Sequence, residues 1–77
     1  MAQTPLGKYL ANWRALRNLN QGQLAHAADV TASTVLRIEA GTIQDPRIST
    51  VVKLAKALGL DDQARLTMLD HAREPKP

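Results

Sequence analysis

The chain has 77 residues, no cysteine, one Trp, one Tyr and no Phe, and ten Lys/Arg against seven Asp/Glu leave a formal charge of +3. That length allows one domain and excludes a large enzyme. Without cysteine there is no disulfide and no cysteine zinc site, and His26 and His71 are too few to make a metal site alone. A chain this small buries roughly 60% of its unfolded surface, so the expected fold is an economical all-α bundle, on its own or helped by a partner.

Apolar spacing is helical throughout, and no stretch alternates as a strand would. The first helix is predicted to open at Pro5, with Thr4 as its cap. Leu6, Leu10 and Trp13 then form one buried stripe, and Asn18, which tolerates the left-handed conformation, stops it. Asn20 caps a short second helix over 21–28 that buries Leu24 and Ala25, and Gly22 inside it needs support from packing. Asp29-Val30 is a tight connection. Thr31 caps a third helix over 32–40, closed by Gly41. Residues 42–47 form a loop. A fourth helix is expected from Ser49 to Leu58, with Val51, Leu54, Ala55 and Leu58 inward and Gly59 as its stop. Asp61 caps a fifth through Ala72, with Leu66 and Leu69 inward. Asp62 suits its positive end, and His71 and Arg73 its negative end.

The charge is uneven. Residues 1–60 carry seven bases and three acids, and residues 61–77 three bases and four acids. The predicted domain is 1–73, with 74–77 a solvated tail or the start of a linker. No apolar run approaches the roughly 18–20 residues that span a bilayer, and the N-terminus lacks a signal-peptide pattern. A cytoplasmic protein is expected, in keeping with the absence of cysteine. Nothing in the pattern asks for a cofactor, a small-molecule ligand or a membrane.

Two short helices joined by a tight turn are the element that presents one helix to the DNA major groove. On the third helix, Val35 and Ile38 turn to the core, while Ser33, Leu36, Arg37 and Ala40 turn away, with Ala32 at the N-terminal edge. Small side chains would let this helix approach a groove closely. Arg37 is its one long donor, and arginine is the usual bidentate partner of guanine O6 and N7. Ala32 suits a thymine methyl, and Ser33 can bond several base edges. Leu36 suits a contact with thymine methyls or with a protein. A surface arginine is otherwise a solvated charge, and a single exposed leucine needs no explanation. Glu39 lies near the core edge and is expected to pair with Arg14, because a half-buried carboxylate needs a cation.

The ordered set Asn20-Gln21-Gly22-Gln23-Leu24-Ala25, Val30-Thr31-Ala32-Ser33-Thr34-Val35 and Arg37-Ile38-Glu39-Ala40-Gly41 resembles the helix-turn-helix of the phage repressors and Cro, the XRE type. Pro46 and the run 52–59 resemble that family's fourth helix, so the likeness covers about residues 6–60 with a motif core at 20–41. The resemblance implies a five-helix, lambda-repressor-like domain with the third helix in the major groove. It implies that Ala32, Ser33 and Arg37 read bases, with Leu36 beside them. It implies that Gln21 and the amides opening the second helix hold a phosphate, and that Asn20, Thr34, Thr42, Gln44 and Arg47 face the backbone. It also implies the Arg14–Glu39 pair. Two features depart from the family: Asp29 stands where a glycine is usual, and the loop carries Asp45 where Lys and Arg are common.

The expected function is that of a sequence-specific regulator of transcription on double-stranded DNA, as a homodimer on a palindromic operator or as one module of a larger regulator. The fifth helix and the surface around Ile43 and Ile48 are the candidate dimer contacts. The alternative is a protein-interaction adaptor on the same fold, with Leu36 in its contact surface. An enzyme is not indicated: no nucleophile–base constellation is visible, and Asp61-Asp62 sits where a helix cap belongs.

Overall fold

Four of the five helix starts among the described residues coincide with side chains that take over orphaned backbone donors. Thr4 Oγ1 accepts from Gly7 N at 3.0 Å, Asn20 Oδ1 from Gln23 N at 2.7 Å, Thr31 Oγ1 from Thr34 N at 3.1 Å and Asp61 Oδ1 from Ala64 N at 2.8 Å. The structure is a computed structural model that describes residues 4–42 and 46–73. Within them the helices are α1 (Pro5–Leu16), α2 (Gln21–Ala28), α3 (Ala32–Ala40), α4 (Ile48–Ala57) and α5 (Asp62–Arg73). No strand occurs among the described residues. The expected all-α architecture of five helices is the one observed. The expected tail, 74–77, lies outside the described residues.

Helix ends follow the same local logic. Asn18, Asp29, Gly41 and Gly59 all take positive φ, at 57°, 59°, 79° and 69°. Each reverses the chain after a helix. Asp29 therefore does carry the left-handed turn that a glycine usually makes. The fourth helix starts at Ile48 rather than Ser49 and gives way at Leu58, its C-cap. The fifth starts at Asp62 and reaches Arg73 rather than Ala72. These one-residue shifts fall at frayed ends, where boundaries are set by few bonds.

Leu6, Leu10, Leu24, Val35, Ile38, Val51, Leu54, Leu58 and Met68 form the centre of the core, with Ala25, Ala28 and Ala55 filling narrow gaps. Of the two leucines expected inward on α5, Leu69 packs against the core and Leu66 does not. Leu66 is 57% exposed and Leu69 only half-buried, whereas Met68 is fully buried. The residues that α5 turns inward are Ala64, Met68 and Ala72, spaced four apart, with Leu69 beside them, and Leu66 lies about 200° from Met68 around the helix. The two alanines let α5 lie close to its neighbours, and a stripe carrying Leu66 inward would hold it off. Trp13 also departs from expectation: it is half-buried, not part of a sealed stripe.

Two contacts set the position of α1. Gly7 is buried, and a Cβ there would lie 2.6 Å from Ile38 O and 2.9 Å from Glu39 O. The first turn of α1 thus meets the end of α3 backbone to backbone. On its other side, Tyr9 Oη donates to Ala64 O at 3.2 Å, and its ring lies 5.1 Å from that of His71. Arg17 packs 5.1 Å over the Trp13 ring and donates from Nε to Leu58 O at 2.8 Å. These bonds tie α1 to α3, to the end of α4 and to α5.

Candidate nucleic-acid interface

α3 is amphipathic with its apolar side sealed. Val35 and Ile38 are fully buried, while Ala32, Ser33, Leu36, Arg37 and Ala40 are exposed and Thr34 is half-buried. The outward face is therefore short side chains plus Leu36 and one guanidinium. Leu36 is 52% exposed, an apolar group held in water on a helix that has an available core face. The start of the helix is stiffened by a second bond: Thr31 Oγ1 and Thr34 Oγ1 lie 2.9 Å apart. Its end is closed by Gly41 N–H to Ile38 O and Thr42 N–H to Arg37 O, which leaves Thr42 exposed beside Arg37.

The N-terminus of α2 is a full capping box. Asn20 Oδ1 accepts from Gln23 N, and Asn20 N donates to Gln23 Oε1 at 2.8 Å. The cap takes up one of the four orphan donors and leaves the first amides of the helix, Gln21 and Gly22, facing outward. A Cβ on Gly22 would meet only Asn20 Oδ1, at 3.4 Å, so nothing crowds this end. Oriented amides and the positive end of the helix dipole suit an anion.

Beneath these two helix ends lies a buried charge network. Glu39 is 6% exposed, deeper than the half-buried position expected. Arg14 donates to it twice, Nε to Oε2 at 2.6 Å and Nη2 to Oε1 at 3.0 Å. Arg14 Nη1 also donates to Leu19 O at 2.9 Å. Gln21 Nε2 donates to Glu39 Oε1 at 3.0 Å. The hydrogen bonds to Glu39 raise the Arg14 guanidinium above the ordinary arginine value; partial burial opposes this and the charge of Glu39 adds to it. The network locks α1, the start of α2 and the end of α3 in one arrangement.

Asn20 and Gln21 stand at the start of α2, Ala32, Ser33, Thr34, Leu36 and Arg37 lie on α3, and Thr42 follows its end; of these, Thr34 and Gln21 are half-buried and the rest exposed. Arg47, exposed, stands at the N-cap of α4 with no side-chain cap bond. Ile43, Gln44 and Asp45 lie outside the described residues. One engagement escaped sequence reasoning and one was expected from the cap. The Gln21 amide is held by Glu39 across 18 positions, and the Asn20 carboxamide oxygen is taken by its own helix. Arg17 is bonded internally as well; its spacing of four from Trp13 is the one signal that could have revealed it.

A helix-turn-helix family model matches residues 10–63, from the second turn of α1 to the start of α5. No curated protein matches the chain. No helix among the described residues is long and apolar enough to cross a membrane.

Proposed function

The chain belongs to the XRE-type helix-turn-helix family of the phage repressors and Cro, a family of DNA-binding regulators, and on that premise we propose that it is a sequence-specific regulator of transcription that lays α3 in the major groove of double-stranded DNA. The observation that carries this is the outward face of α3, where Ala32, Ser33, Leu36 and Arg37 stand exposed while Val35 and Ile38 anchor the opposite side. Short side chains admit the helix to the groove, and Arg37 supplies the long donor that reads a guanine.

The amides of Gln21 and Gly22 take a backbone phosphate, with Asn20 holding that helix end open and Glu39 holding the Gln21 side chain beside it. Thr34, Thr42, Gln44 and Arg47 supply further backbone contacts. One such module reads few base pairs. We therefore expect two copies on half-sites about 34 Å apart, or the same module within a larger regulator, in the cytoplasm. Ile48 and Leu66, 45% and 57% exposed, are apolar groups available for contact between copies.

The test is a salt titration with duplex DNA fragments selected from a random pool by the purified chain. Binding that neutralises Z phosphates falls with log salt at a slope of about −0.9Z. Selected sequences should converge on a palindrome. If no duplex is bound at low ionic strength, or binding ignores salt, the reading fails and Leu36 is left as the contact of a protein adaptor.

A further inference from the structure

At the end of α2 away from its capped N-terminus, an open groove of about 260 Å³ lies between α2 and α4. It is lined by Ala27, Ala28, Asp29, Lys53, Lys56 and Ala57. Three alanines supply its apolar lining, so the groove offers methyl groups and no bulk. Lys53 and Lys56 are exposed and three positions apart, on one side of α4. Neither ammonium is in an ion pair among the described residues.

These lysines lie along α4 away from its N-terminus, which is the part of α4 that the DNA reading uses. They stand about 9 and 14 Å along α4 from Arg47, at 1.5 Å per residue. Asp29, exposed on the groove's rim, can accept a hydrogen bond from a peptide N–H, which a row of phosphates cannot supply. Arg14 and Arg17 are bonded internally. Lys53 and Lys56 therefore form a pair of cations without an ion-pair partner among the described residues, next to an apolar lining and on a different helix from the proposed recognition face.

We propose that this groove docks an acidic segment of a partner protein. Glu or Asp side chains of that segment pair with Lys53 and Lys56, its aliphatic parts rest on Ala27, Ala28 and Ala57, and Asp29 accepts a backbone N–H from it. A peptide satisfies all three features at once, whereas a nucleic-acid strand satisfies only the lysines. The groove is small, so the contact is weak and reversible.

The experiment titrates the isotope-labelled chain, free of DNA, with a ten-residue peptide of alternating Glu and Ala and follows the amide resonances. Shifts should cluster at Ala27, Ala28, Asp29, Lys53, Lys56 and Ala57. The double variant Lys53→Glu/Lys56→Glu should weaken the peptide at least tenfold. Ala27→Leu, at an exposed position, fills the groove without changing charge and should weaken it severalfold while the melting temperature stays put. Shifts spread evenly over Lys8, Arg37 and Arg47 would overturn the proposal as generic charge attraction, as would no shifts at all or an unaffected Ala27→Leu variant. Duplex affinity is measured on the same variants. If the double variant loses DNA but not peptide, the groove belongs to the DNA surface and the proposal falls. Because the peptide titration contains no DNA, its failure is separate from failure of the DNA reading.

Discussion

Arg14 and Glu39 meet as fork on carboxylate, two nitrogens to two oxygens at 2.6 and 3.0 Å. The two partners differ in depth: the Glu39 side chain is 8% exposed and that of Arg14 22%. Glu39 also accepts from Gln21, and Arg14 also donates to Leu19 O. Removing either residue therefore leaves a different orphan, and the two losses should be unequal.

Arg14→Ala strips a buried carboxylate of its cation while the Gln21 amide still donates to it, and breaking such a pair typically destabilises by about 3–5 kcal/mol. Glu39→Ala strands a guanidinium that can still reach water and Leu19 O. Its effect should be smaller, about 1.5–3 kcal/mol, as for a hydrogen bond to a charged group. Urea denaturation of both variants checks the order. Equal losses would overturn the predicted asymmetry, and no loss in either variant would show that the pair does not support the fold.

The pH dependence of this pair has a definite sign. The folded-state value of Arg14 is raised, first by its hydrogen bonds to Glu39. A raised value means the stabilisation is fully present below the ordinary arginine value and is lost only as pH climbs through the higher folded one. The gap in melting temperature between the native chain and Arg14→Ala should thus hold constant from about pH 7 to pH 10. A gap that closes across that range would contradict it.

Two glycines should respond in opposite directions to alanine. At Gly7 the new methyl would sit 2.6 Å from Ile38 O and 2.9 Å from Glu39 O, both backbone atoms that cannot step aside. Overpacking of this kind costs about 1–3 kcal/mol, more than the gain of up to about 1 kcal/mol in helix propensity. At Gly22 only Asn20 Oδ1 is near, at 3.4 Å, so the propensity gain should show as a stabilisation of up to about 1 kcal/mol. Thermal melts of the two variants decide it. A Gly7→Ala variant as stable as the native chain would mean that α1 can slide along α3.

Asp29 offers a third stability test. It holds φ 59° at the C-cap of α2, and its carboxylate faces the negative end of that helix. Both features favour Asp29→Gly, which should raise stability by about 0.5–1 kcal/mol. A lower melting temperature would show that the Asp29 side chain makes a contact of greater worth than the relieved strain.

What is legible in the sequence divides along physical lines. Thr4, Asn20, Thr31 and Asp61 are legible as caps because a cap bonds its own helix three residues on. The exposed face of α3 is legible because nine residues with two buried anchors leave one orientation. The inward face of α5 is not. Leu66 is more apolar than Ala64, but contacts with α1 and α4 choose the stripe that lets helices approach. Gln21–Glu39 and Arg17–Leu58 join residues 18 and 41 positions apart, and no local rule encodes such bonds. Gly7 likewise shows its purpose only once α3 is seen against it.

Arg37 and Arg47 should separate base reading from backbone contact. Arg37 projects from the exposed face of α3, and Arg47 stands free at the start of α4. If Arg37 grips a guanine edge, Arg37→Ala should weaken the selected site by about 1–3 kcal/mol and relax preference at one base pair per half-site. Arg47→Ala should instead weaken all duplexes alike and make the salt slope shallower by about 0.9 for each phosphate no longer neutralised. Each variant is measured by titration against the selected duplex and against one scrambled at the half-sites. Uniform weakening by Arg37→Ala would move that guanidinium to a phosphate and leave sequence reading to Ala32, Ser33 and Leu36, side chains with a hydroxyl and methyl groups but no bidentate donor. Selection should then return half-sites that vary in G·C but agree in the placement of thymine methyls.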